Sequence, residues 1–268
     1  MFTGAERIPF RRYELVILRD AKAYRNELRA LEDEILTIAT LSRGWDGSHV
    51  ARMRAIFKIS PLYLATALAL VFEDGVFKGI AGCDTDFDCG PGSGINGTIV
   101  HLCSMNFSRD IQGTGLLSFL FLALLEQISG LVARHGDTVY VTSISQSPLV
   151  YSMLGKLAHV YPNARDIPPP DVIRVARAVV DKYDPDVTFE PENLILRNEC
   201  DFFYNPLPQA PDRRINDFVR SKLDIAAGDV FVPVGRSSAA RLNAYGARFR
   251  ARFASRQQER RAVAAGGL

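Results

Sequence analysis

Residues Gly97 to Leu125 read GTIVHLCSMNFSRDIQGTGLLSFLFLALL. Thr98 to Met105 has the apolar, β-branched character of a strand, and Gly113-Thr114-Gly115 breaks the chain. The apolar stretch from Leu116 to Arg134 predicts a long helix. A strand that turns through glycines into a helix presents unpaired amides and the positive end of the helix dipole, which suits an anionic phosphate. Glycine at 113 and 115 lets a backbone approach a diphosphate with no Cβ in between. The third glycine of a dinucleotide-binding fingerprint is missing, and no Lys-Ser/Thr follows, so neither of the two commonest nucleotide loops applies.

The flanking sequence builds a sheet around this segment. Tyr13 to Leu18 reads as a strand. Ala21 to Ala39 carries Leu28, Leu31, Ile35 and Ile38 at helical spacing, and Leu41 to Gly47 reads as a turn. Two apolar runs, Leu64 to Phe72 and Val76 to Gly82, flank Asp74-Gly75 and predict a hairpin. Residues 84 to 97 form a polar, glycine-rich loop. Thr138 to Ile144 is a further strand, and Ser147-Pro148 opens a helix that ends near Gly155 or Leu157. Beyond the stiff Pro168-Pro169-Pro170 come a helix over 172–183, a strand over 193–196, a loop over 200–214, a helix over 215–223 and a last strand over 230–234. This order predicts an α/β (α+β) fold: a mixed central sheet flanked by helices.

Composition narrows the class. Of 268 residues 47% are hydrophobic, which excludes wholesale disorder, and four cysteines do not make a disulfide scaffold. No apolar stretch approaches the roughly 20 residues of a bilayer span, and the first residues lack the layout of a signal peptide. The expectation is a cytoplasmic protein with no membrane partner. Net charge is +2, yet eight arginines against one glutamate give residues 236–268 a charge of +7, leaving −5 for the rest. A mildly acidic body argues against nucleic acid as partner. The expected organisation is one domain over 1–234, with its core at about 13–160, followed by an arginine-rich tail over 235–268.

The segment around Gly113 resembles the GNAT acetyl-CoA-dependent N-acetyltransferases, whose cofactor loop reads Gln/Arg-x-x-Gly-x-Gly/Ala between a strand and a helix. Here Gly113 and Gly115 match, and Asp110 stands where that family has Gln or Arg. Tyr151, four residues before Gly155, matches the family's Tyr-x-x-x-Gly. The resemblance implies the GNAT fold and acetyl-CoA, or another acyl-CoA, as co-substrate. It implies cofactor contacts from Cys103, Ser104 and Met105 on the strand, and from Ile111, Gln112, Gly113, Thr114, Gly115 and Leu116 in the loop. It also implies an amine acceptor, either a small molecule or a protein amine; a homodimer is left open.

Acyl transfer needs an oxyanion donor and routes for protons. The resemblance makes Tyr151 the candidate acid for the leaving thiolate, against an ordinary packed tyrosine. The family's catalytic glutamate position falls on Ile99. Ile99, His101 and Cys103 share a strand face, so His101 is the candidate base, set level with a strand histidine satisfied by a hydrogen bond. Glu126 reads more readily as the polar side of its helix, and Cys103 as a small buried hydrophobe than as a nucleophile. Cys83, Cys89 and the aspartates between them have neither zinc nor calcium spacing, and no metal is expected. The readings kept beside N-acyl transfer are a non-catalytic acyl-CoA-binding or interaction module and, more remotely, acyl-CoA decarboxylation.

Overall fold

The computed structural model describes residues 2–57, 60–89, 91–112, 115–116, 119–121, 123–124, 137–200, 204–248 and 251. Eleven strands are present among them. The hairpin of β1 (Glu6–Phe10) and β2 (Tyr13–Leu18) leads through a 3-10 turn into helices α1 (Arg25–Ala30) and α2 (Glu32–Ser42). Helices α3 (Val50–Ile56) and α4 (Ser60–Leu64) precede β3 (Ala67–Glu73), β4 (Val76–Asp84) and β5 (Thr98–Phe107). Then come β6 (Thr138–Ser143), α5 (Pro148–Leu157), β7 (His159–Tyr161), α6 (Pro170–Tyr183), β8 (Thr188–Glu190) and β9 (Ile195–Arg197). Helix α7 (Arg213–Lys222), β10 (Val230–Phe231) and β11 (Val234–Ser238) complete the set.

Eight strands form one sheet in the order β1-β2-β3-β4-β5-β6-β11-β7; β8, β9 and β10 form a second, small antiparallel one. Among the described strands only the β5–β6 pair is parallel; its neighbours are all antiparallel. The expected mixed sheet flanked by helices is therefore the observed fold.

Coverage on both faces explains why the central strands are apolar at nearly every position. On β2, Leu15 and Ile17 enter the layer that includes α5, whereas Val16 and Leu18 enter the layer under α1 and α2. On β3, Ala67, Ala69 and Val71 take the first side, Leu68 and Leu70 the second. The β3–β4 turn is the one expected: Asp74 (φ +50°) and Gly75 (φ +79°) give the type I′ geometry that matches strand twist. Helix α6 buries Val172, Val175, Ala176, Val179 and Val180, a single stripe at helical spacing, over β6, β11 and the small sheet.

Four expectations are corrected. The first strand is preceded by β1, so the sheet begins with a hairpin. The helix over 21–39 is two helices with a break at Leu31, and the second runs on to Ser42, inside the expected turn. Asp84 belongs to β4 and is fully buried instead of opening an exposed loop. The last strand is divided: Val230–Phe231 pairs with β9, and after Pro233 the chain crosses into the main sheet as β11, between β6 and β7. The strand thus continues four residues past 234. Residues 239–248 are helical, with Leu242 buried.

Candidate active site

The parallel ladder of β5 and β6 ends at Leu102 and Ser143. Beyond it β5 runs on to Phe107 paired with β4, while β6 gives way to a bridge in which Ser145 and Phe231 exchange backbone hydrogen bonds of 3.0 and 3.2 Å. The two strands part, and a cavity of about 400 Å³ opens between them. Its walls are residues 101–106 of β5, Ser143 at the end of β6 and residues 144–146 after it, and Arg43, Phe57, Tyr183 and Tyr204 from segments packed across the opening.

On the cavity wall β5 carries a bulge. Gly82 faces Cys103 and Ile80 faces Asn106, so one extra residue lies on β5, and Ser104 takes φ +51°. The main chain of Ser104 and Met105 is thereby released from the β4 ladder at the mouth of the split. Glycine is needed opposite: a Cβ on Gly82 would stand 2.6 Å from Leu68 Cδ2 and 2.9 Å from Cys103 Sγ.

His101 is buried on this wall. Its Nδ1 lies 2.8 Å from Thr142 Oγ1, and its ring stacks on Tyr183 at 4.7 Å. Burial pulls its pKa down to about 4; the Asp84 carboxylate opposes this and Lys182 adds to it. The imidazole is therefore neutral at pH 7 and a weak base. Behind it, Lys182 Nζ pairs with Asp84 at 2.7 Å, and the Tyr183 hydroxyl donates to the same carboxylate. Burial pushes the Cys103 thiol well above its usual range, so it stays protonated, as a packed thiol would.

Tyr151 is not brought to this wall. It sits on α5, half-buried against the rings of Phe218 and Phe231, and its hydroxyl donates to the Pro162 carbonyl. Burial raises its pKa to about 12. Tyr151 and His101, joined as acid and base in the sequence reading, are thus engaged in different surroundings.

The segment expected to form a cofactor loop is described in part. Arg109–Ile111 is a 3-10 turn, with Ile111 buried; the Gln112 side chain donates to Phe107 O at 3.0 Å. Gly113 and Thr114, like Glu126, lie outside the described residues. Gly115 has φ +83° with no atom of the described residues within 4 Å of its Cβ direction, and Phe119 N–H donates back to its carbonyl at 3.3 Å, so the helix starts there. Leu116 is helical and buried. Asp110, where the resemblance calls for Gln or Arg, pairs with Lys78 at 2.8 Å, and Lys78 holds its carboxyl below the usual value. Arg109 Nε is spent on Leu41 O at 3.2 Å.

Three cavity residues were missed from sequence. Arg43 donates through Nη1 to Asn106 Oδ1 (2.9 Å) and to Ala39 O (3.0 Å), with its guanidinium over Phe57 and Tyr204. Gln146 donates through Nε2 to Asp229 O at 3.1 Å. Each side chain is ordinary in its local sequence, which gives no sign of the 63 residues that separate Arg43 from Asn106. Among the described residues no group of three His, Cys, Asp or Glu is placed to hold a metal ion, and no helix is long and apolar enough to cross a membrane.

No family model matches the chain, and no curated protein does. Solved structures do. Eis1 from Mycobacterium abscessus is 15% identical, with a TM-score of 0.34 over 55% of this chain and 32% of its own. The chain therefore spans about a third of that protein. The GNAT family N-acetyltransferase YhbS from Escherichia coli, in complex with CoA, is 15% identical, with a TM-score of 0.33 over 55% and 70%. Aminoglycoside N-acetyltransferase AAC(6')-Iy, in complex with CoA, is 16% identical, with a TM-score of 0.31 over 57% and 86%.

Proposed function

We propose that this chain is an acyl-CoA-dependent N-acyltransferase, transferring acetyl in the simplest case to an amine held in the β5–β6 cavity. The observation that carries the reading is the bulge at Ser104, set where the parallel strands part and followed on the same strand by a turn into a helix at Gly115. A narrow acyl-pantetheine arm suits the free edge of β5, and a developing oxyanion would meet the released amides of Ser104 and Met105. The side chains of Arg109, Asp110 and Gln112 are occupied elsewhere, so a diphosphate would rest on main-chain amides at the helix start, such as those of Gly115 and Leu116.

A bound thioester supplies an activated carbonyl. The amine nitrogen forms the C–N bond, the C–S bond breaks, the amine's proton goes to water, and the leaving thiolate departs as CoA, taking a proton from water. His101, held neutral with a pKa of about 4, is too weak a base for an ammonium. The experiment is calorimetry with acetyl-CoA, followed by thiol release across a panel of amines. Absence of binding removes the proposal. Binding without thiol release for any amine selects the second reading, a non-catalytic acyl-CoA-binding module. That reading is favoured by one observation: the Tyr151 hydroxyl is turned onto Pro162.

A further inference from the structure

Two residues that line the cavity, Asn106 and Gln146, each carry a buried polar atom without a partner among the described residues, Nδ2 and Oε1. Their side chains are 3% and 4% exposed, and both line the cavity. The amide orientations follow from the partners. A guanidinium can only donate, so the Asn106 atom facing Arg43 is the oxygen and the leftover atom is an N–H₂ donor. A main-chain carbonyl can only accept, so the Gln146 atom facing Asp229 O is the nitrogen and the leftover atom is an acceptor. An orphaned buried group is costly, so a ligand that completed these two would gain by it; Thr98 Oγ1 and Ser108 Oγ, also orphaned, do not line the cavity.

Charge sharpens the match. Arg43 is the only lysine or arginine lining the cavity among the described residues; Asp184 and Glu199 are its carboxylates. Arg43 is held from both sides by Asn106 and Ala39, so its charge is fixed in place. One anchored cation beside an amide donor suits a carboxylate. An amide acceptor in a lining with two carboxylates suits an ammonium. Met53, Ile56 and Val230 supply an apolar share of the wall.

We propose that the acceptor is a zwitterionic amino acid with an apolar side chain, its carboxylate met by Arg43 and Asn106 Nδ2 and its amino group by Gln146 Oε1. This inference rests on the acyltransferase reading for its role as acceptor, but its binding term can be measured alone.

The test is calorimetry of the full chain with leucine, leucinamide and 3-methylbutylamine, each with and without acetyl-CoA. The three share a side chain and differ in the carboxylate. Leucine should bind about tenfold or more tightly than either analogue, the share expected of a charge-assisted pair. Arg43→Gln should abolish the preference and Gln146→Met should weaken leucine severalfold, each with cooperative unfolding retained. If the analogues bind as well as leucine, or none binds, the inference is overturned, whatever acetyl-CoA does. If leucine is preferred but acetyl-CoA does not bind, the amino-acid site stands and the transferase reading falls.

Discussion

Acid should unfold this protein through His101. The imidazole lies between strands, paired with Thr142, stacked on Tyr183 and edge-on to Phe87. Its pKa is 6.5 when exposed and about 4 in the fold. Between these values the unfolded chain binds a proton that the native chain refuses, so stability is full above about 6.5 and is lost as pH falls toward 4. At about 1.36 kcal/mol for each pKa unit, the loss from this one side chain is about 2 kcal/mol by pH 5 and about 3 kcal/mol by pH 4. His101→Gln keeps a hydrogen-bonding partner for Thr142 and removes the titration. Urea unfolding from pH 7 to 4.5 should show the wild type falling about 2 kcal/mol further than this variant. Parallel curves for the two would refute the reasoning, because a histidine that protonates equally in both states is not the buried, neutral group described above.

Tyr151→Phe should leave any thiol release within about twofold and cost about 1 kcal/mol of stability, the worth of one hydrogen bond to Pro162; a hundredfold fall in kcat would put the phenol on the leaving thiolate. The rate with an amine acceptor should climb with pH toward the amine's own pKa without an inflection near 6.5, since His101 is already neutral; a limb there that vanishes in His101→Gln would make His101 the base. Gly115→Glu places a carboxylate at the helix start and should weaken acetyl-CoA binding about tenfold by calorimetry relative to Gly115→Gln, which carries the same backbone strain at φ +83° without the charge; equal affinity for the two variants would remove that turn from the cofactor site. Gly44→Ala drives a Cβ into the Asn205 carbonyl at φ +93° and should destabilise the fold by about 3 kcal/mol in denaturant unfolding.

The local devices were legible because each is decided by neighbours along the chain. Asp74-Gly75 dictates a type I′ turn between two apolar runs wherever those runs end up. Pro148 starts α5 because proline suits the first helical turn, although Ser147 before it makes no side-chain cap hydrogen bond, and the spacing of valines in α6 declares its buried face. Short, strongly local helices such as α3 and α4 were not read, since neither is long enough to show a period.

By itself the sequence determined that Thr98–Met105 lies in a strand, that it leads through a glycine turn toward a helix, and that a mixed sheet surrounds it. Beyond the β3–β4 hairpin, only the tertiary structure decided which strands stand side by side. Alternating burial says which way a side chain points and nothing about its neighbour, so the insertion of β11 between β6 and β7 could not be read. The same holds for the cavity. Its bulge depends on counting residues on two paired strands at once, and its cation reaches Asn106 from a helix end 63 residues away. Contacts of that range depend on chain closure, which no local pattern encodes.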